Sequence, residues 1–241
     1  MSGHSKWSTI KREKGAKDAK RGAIFTKLGN QIAIAARSGI DPMMNSSLAL
    51  AIEKAKQANM PAANIQRAID RVSDKTAAIL EEVAYEAIGP SGVSLIIETA
   101  TDNKNRTFPE LKNTLTKNGG RIADAGSVMF QFTRKGVINV ASVGEDALMT
   151  ILECGAEDAV EEDGEIIVYT KQKDLASVRN AIIDAGLKVQ DAGLQYVPNH
   201  EIEINDMESA RKIIKLLDAI DDLDDVVNVY HNANITVDIE N

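Results

Sequence analysis

The spacing of apolar residues changes near residue 80, and no single repeated architecture accommodates both patterns. Before this point the apolar residues recur every three to four positions, which is typical of amphipathic helices. After it, short runs rich in valine and isoleucine alternate with helical patterns, which is typical of α+β folds. A chain of 241 residues is long enough for two or three modules. The sequence therefore predicts a multidomain α+β protein that begins with a helical bundle.

Residues 1–79 predict a basic, helical N-terminal domain. Apolar residues from Ile24 onward follow helical spacing as far as Gly39, and Asn45 or Ser46 is suited to cap a second helix. A third helical pattern follows. Because the connections between these patterns are short, we expect neighbouring helices to pack as a small bundle.

The sequence predicts one split α+β domain that is formed by two separated fragments, 80–133 and 206–241. In the first, strand patterns flank Gly89-Pro-Ser-Gly92 as in a β-hairpin, and Thr107-x-x-Glu110 predicts the capping box of a helix. In the second, a helix precedes two strands that we expect to form a hairpin through His231-Asn-Ala-Asn234. Neither fragment buries enough apolar surface to be stable alone, so we expect the two to share one sheet.

Residues 134–205 contain a complete set of strands and helices. The predicted order is βαββαβ, with a tight turn at Asp163-Gly164 between the two central strands. This is the order of a ferredoxin-like sandwich, in which helices cover one face of an antiparallel sheet. We predict that this unit is inserted into the split domain. Its predicted elements are Val137–Val140, Glu145–Cys154, Asp158–Glu162, Glu165–Thr170, Asp174–Ala185 and Lys188–Val197.

Charge is divided unevenly along the chain. Residues 1–75 hold 14 Lys and Arg against 6 Asp and Glu, a balance of +8, whereas the remaining residues hold 14 against 30, a balance of −16. A basic segment on an acidic protein favours contact between one end of the molecule and a polyanion. We expect this polyanion to be nucleic acid, either DNA or ribosomal or transfer RNA.

The candidate nucleic-acid contacts cluster in the first 27 residues. Lys and Arg along a glycine-interrupted segment can each approach a phosphate and release condensed counterions, although such a run can also be ordinary solvated surface. Trp7 could stack on an exposed base, which would favour RNA or single strands, or it could anchor the segment on the bundle. The candidate residues are Lys6, Trp7, Lys11, Arg12, Lys14, Lys17, Lys20, Arg21 and Lys27.

A polar cluster between a strand and a helix is a second candidate contact. Asn105 and Arg106, next to Asp102 and Asn103, could hold a phosphate at the helix N-terminus. Alternatively, these residues only form a turn. Arg121 could likewise meet a phosphate, or the glycines before it could only end the helix. The acidic groups in segments 157–165 and 218–225 could contact a basic protein or bind a divalent ion, but we interpret them as solvated surface, which would confine nucleic acid to the basic end.

The sequence contains no motif that is typical of an enzyme, a metal site or a membrane protein. The three histidines are scattered, Cys154 is the single cysteine, and P-loop, G-x-G-x-x-G and G-x-S-x-G motifs are absent. No uninterrupted apolar stretch approaches the ~20 residues of a membrane helix, and the N-terminus is too polar for a signal peptide. We predict a cytoplasmic protein, favoured as a monomer, with no catalytic residue, metal, cofactor or small-molecule substrate.

These residues together resemble the YebC family over essentially the full length of the chain. No single motif decides the resemblance, which rests on the order and spacing of many. One departure is that Gly39 stands alone before Asp41, where relatives often carry two glycines. The matching motifs are Gly3-His-Ser-Lys-Trp7, Asp18-Ala-Lys-Arg-Gly22, Ile24-Phe-Thr-Lys-Leu28, Gly39-Ile-Asp-Pro42, Asn59-Met60, Ile65-x-x-Ala-Ile69, Tyr85-Glu86, Gly89-Pro-x-Gly92, Thr101-Asp-Asn-x-Asn-Arg-Thr107, Gly126-Ser-Val128, Gly155-Ala-Glu-Asp158 and Tyr230-His-Asn232.

The resemblance implies a helical N-terminal domain, a split α+β domain and a ferredoxin-like domain inserted into it. Members are commonly described as probable DNA-binding transcriptional regulators. Mitochondrial relatives are translational activators, and bacterial members have been linked to the ribosome at proline-rich stretches. Three hypotheses therefore stay open: a transcriptional regulator, a ribosome-associated translation factor and a protein-binding adaptor.

Overall fold

Within the described residues, three helices form the N-terminal bundle: α1 (Asp18–Ala36), α2 (Ser46–Gln57) and α3 (Ala62–Asp70). The computed structural model describes residues 18–73, 78–162 and 164–237. Leu48 and Ile32 are fully buried between the helices. Asn45 caps α2, since its Oδ1 accepts a hydrogen bond from the backbone N–H of Leu48 at 3.1 Å.

Strands and helices alternate after the bundle, as the change in apolar spacing predicts. The chain belongs to the multidomain α+β class, and its elements beyond the bundle run in the following order. They are β1 (Glu81–Ile88), β2 (Ser94–Thr101), α4 (Lys104–Lys117), β3 (Arg121–Ile122), β4 (Phe132–Val140), α5 (Glu145–Glu153), β5 (Asp158–Glu162), β6 (Glu165–Thr170), α6 (Leu175–Asp184), β7 (Val189–Pro198), β8 (Ile202–Ile204), α7 (Met207–Asp221), β9 (Val226–His231) and β10 (Ala233–Ile235).

The first sheet has the strand order β3-β1-β2-β9. β1 and β2 form the predicted hairpin, with antiparallel pairs from Glu81 with Thr101 to Ile88 with Ser94. β9 pairs antiparallel with β2, so the two fragments of the split domain share this sheet. Helices α4 and α7 supply the apolar residues that cover one face of it. The boundaries at residues 79, 133 and 205 stay predictions.

The second sheet has the strand order β5-β6-β4-β7, and all its neighbouring strands are antiparallel. Helices α5 and α6 pack against it through a core that includes Ile138, Ile151, Ile166 and Ile182. The strand order and the βαββαβ element order together are those of a ferredoxin-like sandwich. The two sheets meet where Tyr196 contacts Tyr230, with ring centroids 5.5 Å apart.

The hairpin predicted near the C-terminus is wrong. β10 does not fold back on β9 but pairs in parallel with β8, from Ala233 with Ile202 to Ile235 with Ile204. This pairing buries Ala233 and Ile235 beside Ile204 in the core under α7, and that burial decides against the hairpin. The predicted strand continues to Ile239, which lies outside the described residues.

Candidate nucleic-acid interface

Most of the predicted nucleic-acid contacts lie outside the described residues. Lys20 and Arg21 belong to the first turn of α1, where no side chain is described. The predicted contacts before α1 are Lys6, Trp7, Lys11, Arg12, Lys14 and Lys17. Their role in binding stays a prediction.

Lys27 on α1 faces the split α+β domain. Its Nζ contacts the backbone carbonyl of Asp221 and lies 3.5 Å from Asp221 Oδ1, at the C-terminal end of α7. A cation at this end of a helix is also favoured by the helix dipole. Only 14% of the Lys27 side chain is exposed. Lys27 is therefore better placed to position α1 than to reach a phosphate.

The helical bundle also contacts the ferredoxin-like unit. Glu53 on α2 forms an ion pair with Arg179 on α6, and Lys54 Nζ lies 3.4 Å from Asp191 Oδ2 on β7. Leu50, also on α2, packs against the core of the ferredoxin-like unit. Together with Lys27, these contacts hold the helical bundle at a defined place beside the other two units.

The polar cluster predicted around residues 102–106 forms the N-terminus of α4. Asn103 Oδ1 accepts hydrogen bonds from the backbone N–H groups of Asn105 and Arg106, at 3.1 and 3.2 Å. The predicted capping box at Thr107 is therefore wrong, because Asn103 is the cap and α4 begins at Lys104. The cap occupies two of the N–H groups that a phosphate would otherwise bind.

Arg106 is held by two carboxylates. Its Nη2 lies 3.0 and 2.9 Å from the two carboxylate oxygens of Asp225, and 3.2 Å from Asp102 Oδ1. The hydrogen bond to Asp225, then the charge of Asp225, raise the pKa of Arg106 above its ordinary value. Two negative charges surround one guanidinium, so the local field opposes a phosphate. The contact of Asn105 and Arg106 with nucleic acid stays a prediction, and the geometry favours the turn-forming interpretation.

Asp225 is a structural residue that the sequence did not indicate. Its Oδ2 accepts a hydrogen bond from Thr107 Oγ1 at 2.6 Å and lies 3.2 Å from Thr101 Oγ1. Its backbone carbonyl accepts from the N–H of Ala100 at 2.8 Å. Only 12% of the Asp225 side chain is exposed, so the solvated-surface interpretation of segment 218–225 fails for this residue. Nothing in the local sequence distinguishes Asp225 from the adjacent Asp224.

Glu86 is a second residue that sequence reasoning missed. Its carboxylate accepts three backbone hydrogen bonds, from Gly126 at 2.5 Å, Val128 at 2.6 Å and Met129 at 2.7 Å. Burial acts to raise the pKa of Glu86, but the three N–H donors outweigh it and hold the pKa below its ordinary value. The Tyr85-Glu86 and Gly126-Ser-Val128 motifs thus meet in space. Glu86 fixes the segment that leads from the first sheet into β4.

Metal sites and membrane spans are absent from the part of the chain that the structure describes. In that part, no group of three or more His, Cys, Asp or Glu side chains is arranged to hold a metal ion. Nor does any described helix combine the length and the apolar character that crossing a bilayer requires. His231 is fully buried, and its Nδ1 accepts a hydrogen bond from the backbone N–H of Ala233 at 3.3 Å.

Fold and charge together define a multidomain α+β protein in which a helical bundle carries the basic end. Residues 5–75 match the family model described as TACO1/YebC protein N-terminal domain, and residues 80–233 match the model described as TACO1/YebC second and third domain. The chain belongs to the TACO1/YebC family. This confirms the resemblance drawn from the motifs.

Relatives of similar length carry a regulatory name. A protein of Bifidobacterium animalis subsp. lactis is 48% identical over 245 residues, covering 99% of this chain and 97% of its own. One of Halothermothrix orenii is 43% identical over 246 residues, covering 99% and 97%. Both are named "Probable transcriptional regulatory protein". The crystal structure of a conserved hypothetical protein from Aquifex aeolicus is 39% identical, with a TM-score of 0.86 over 93% of this chain and 94% of that one.

Proposed function

We propose that the protein regulates gene expression by binding nucleic acid through its basic N-terminal domain, without catalysing a reaction. The division of charge, +8 in residues 1–75 against −16 in the remainder, carries this proposal. Each Lys or Arg that meets a phosphate releases counterions, and the acidic remainder repels the backbone. The names of the relatives support regulation of transcription. A cytoplasmic location is part of the same proposal.

Four described cations of the bundle already have partners within the protein, which favours phosphate contacts nearer the start of the chain. Lys27 and Lys54 contact carboxylates of the other two units. Arg37 Nη1 donates a hydrogen bond to the carbonyl of Leu80 at 2.8 Å, and Arg71 Nη1 lies 3.5 Å from Asn30 Oδ1. Because these cations already have partners within the protein, we assign the phosphate contacts chiefly to residues 6–21.

Replacing Lys11, Arg12, Lys14 and Lys17 with Ala tests the proposal. The plot of log K against log salt should flatten by about 0.7–0.9 for each phosphate that no longer meets a cation. Mixed-sequence DNA duplex and mixed-sequence single-stranded RNA serve as probes, and fluorescence anisotropy measures binding. Alanine at the exposed cations Lys171, Lys173 and Lys188 is the control. A slope no flatter than that of this control would refute the proposed contact.

A ribosome-associated translation factor is the second candidate, and Trp7 among the first cations favours it. An aromatic ring there could stack on an unpaired base, which RNA offers more readily than duplex DNA. Trp7→Ala should then weaken binding to single-stranded RNA by about 1–3 kcal/mol and leave duplex binding unchanged. Equal losses on both probes would exclude stacking. Sedimentation with ribosomal subunits, before and after nuclease treatment, separates this role from regulation of transcription, and binding to neither ribosomes nor DNA would favour an adaptor.

A further inference from the structure

Helix α7 presents a row of cations on its solvent side. Its inner face is apolar and buried, whereas Arg211, Lys212 and Lys215 are exposed together with Glu208. Side chains four positions apart lie on the same face of a helix, so Arg211 and Lys215 are neighbours. Lys212 forms an exposed ion pair with Glu208 at 2.6 Å. Such exposed pairs contribute little to stability and are screened by salt.

The connection between α4 and β3 lies beside this row. A Cβ placed on Gly120 would lie 3.3 Å from Leu216 Cδ2, and one placed on Gly89 would lie 3.1 Å from the same atom. Leu216 therefore packs against both glycines and brings this part of α7 close to the connection. Lys117 and Arg121, which flank Gly120, are exposed at the end of α4 and in β3. They add two cations next to those of α7.

We define the second cationic surface as Lys117, Arg121, Arg211, Lys212 and Lys215. It holds five of the 14 Lys and Arg found beyond residue 75, in a region that carries 30 Asp and Glu. Among the other cations of this region, Lys104, Arg106, Lys135 and Arg179 lie in ion pairs with carboxylates. By contrast, Lys117, Arg121 and Lys215 form no ion pair within the described residues. A local excess of positive charge therefore stands out on an otherwise acidic domain.

We propose that the second cationic surface binds the phosphate backbone of the nucleic acid that the N-terminal domain contacts. The ligand, nucleic acid, rests on the proposed function, but the contact lies on a separate surface of another domain. Phosphate contacts require only positioned cations, whereas protein partners are anchored by large buried apolar side chains. The large exposed apolar side chains of the described residues, such as Met43, Met44 and Phe130, lie outside segments 112–121 and 203–220. The chemistry of the surface thus fits a polyphosphate strand better than a protein.

The test replaces Lys117, Arg121 and Lys215 with Gln in the full-length protein. If each side chain meets one phosphate, the salt slope should flatten by about 0.7–0.9 per contact, so affinity at 0.1 M relative to 1 M salt falls about five- to eightfold per contact. The probes are mixed-sequence single-stranded RNA and mixed-sequence DNA duplex. Gln at Lys171, Lys173 and Lys188 removes the same charge from another exposed surface and is the matched control. All substituted side chains are exposed, so the melting temperature should not change.

The outcomes separate this inference from the proposed function. A flattened slope for the Lys117, Arg121 and Lys215 variant, beyond that of the control, supports the second cationic surface. A slope equal to the control overturns it, and the proposed function still stands if the alanine variant of the N-terminal cations has a flatter slope. If only the N-terminal variant keeps its slope, the N-terminal assignment fails and the second cationic surface stands. An equal loss of binding to polyglutamate would indicate affinity for acidic polymers in general and would also overturn the inference.

Discussion

Substitution of Glu86 should destabilise the protein by an amount that follows from its three hydrogen bonds. The side chain is 7% exposed, and Val128, one of its donors, is fully buried. Glu86→Ala leaves the N–H groups of Val128 and Met129 without an acceptor, at about 1–3 kcal/mol each. Gly126 is exposed, so its N–H can bond to water. The expected loss is therefore about 2–6 kcal/mol, and Glu86→Gln, which keeps one acceptor oxygen, should lose about 1–3 kcal/mol.

The effect of Glu86→Gln should depend on pH. Because the folded protein holds the pKa of Glu86 below its ordinary value, the carboxylate contributes its full stability above the unfolded pKa of about 4.3. This contribution disappears as the pH falls through the folded pKa. The difference in unfolding free energy between the wild type and Glu86→Gln should thus stay constant from pH 7 to about pH 5 and shrink below pH ~4.

Urea unfolding followed by circular dichroism measures this difference, and amide hydrogen exchange at residues 126–129 reports local opening. The local probe is needed because several domains can unfold in separate steps. Glu110→Gln removes an exposed carboxylate from α4 and should change stability by less than about 0.5 kcal/mol. If Glu86→Gln behaved like Glu110→Gln, the buried carboxylate would not be holding the segment.

Three further perturbations test the contacts between elements. Thr107→Val removes the hydroxyl that donates to Asp225 and should lower the unfolding free energy by about 1–3 kcal/mol in urea, whereas Thr107→Ser should restore most of it. Arg106→Ala should lower the melting temperature more clearly than the affinity for RNA, because Asp225 loses its counter-charge. Glu53→Gln combined with Lys54→Gln should loosen the bundle from the ferredoxin-like unit and increase the radius of gyration measured by X-ray scattering.

Each of these expectations has a contrary result. If Thr107→Val and Thr107→Ser were equally stable, the hydrogen bond from the Thr107 hydroxyl to Asp225 would not stabilise the protein. If Arg106→Ala lost RNA binding while its melting temperature stayed unchanged, Arg106 would be a nucleic-acid contact. An unchanged radius of gyration in the Glu53 and Lys54 double variant, at low and high salt, would show that Leu50 and its apolar neighbours suffice to hold the bundle.

Local sequence patterns predicted the helices and strands well where a short periodic repeat of apolar residues decides the structure. The βαββαβ order follows from alternation in the strands, helical spacing between them and a turn dipeptide. The sequence left the cap of α2 open between Asn45 and Ser46, and the hydrogen bond from the N–H of Leu48 to Asn45 decides it. The capping box at Thr107 failed because Asn103 offered a competing cap four residues earlier. The C-terminal hairpin failed because β10 pairs with β8, which is distant in sequence, and not with β9.

The candidate nucleic-acid interface was likewise predicted only in part from the sequence. Its basic character is visible in the sequence, since charge is a property of each residue and needs no contact. The partners of the individual cations were not visible. Lys27 meets Asp221 across 194 residues, and Arg106 meets Asp225 across 119. The second cationic surface also depends on contact between distant segments, because Leu216 packs against Gly89 and Gly120.

The sequence by itself determined the helical and strand periods, the separation of positive from negative charge, and the membership of the TACO1/YebC family. The tertiary structure alone decided that Arg106 pairs with Asp225, that Glu86 anchors the segment before β4, and that the connection between α4 and β3 packs against α7. The physical reason is the distance along the sequence over which the deciding interactions act. Local preferences depend on side chains within a few positions, whereas these contacts depend on strand register and helix packing, which only the assembled core specifies.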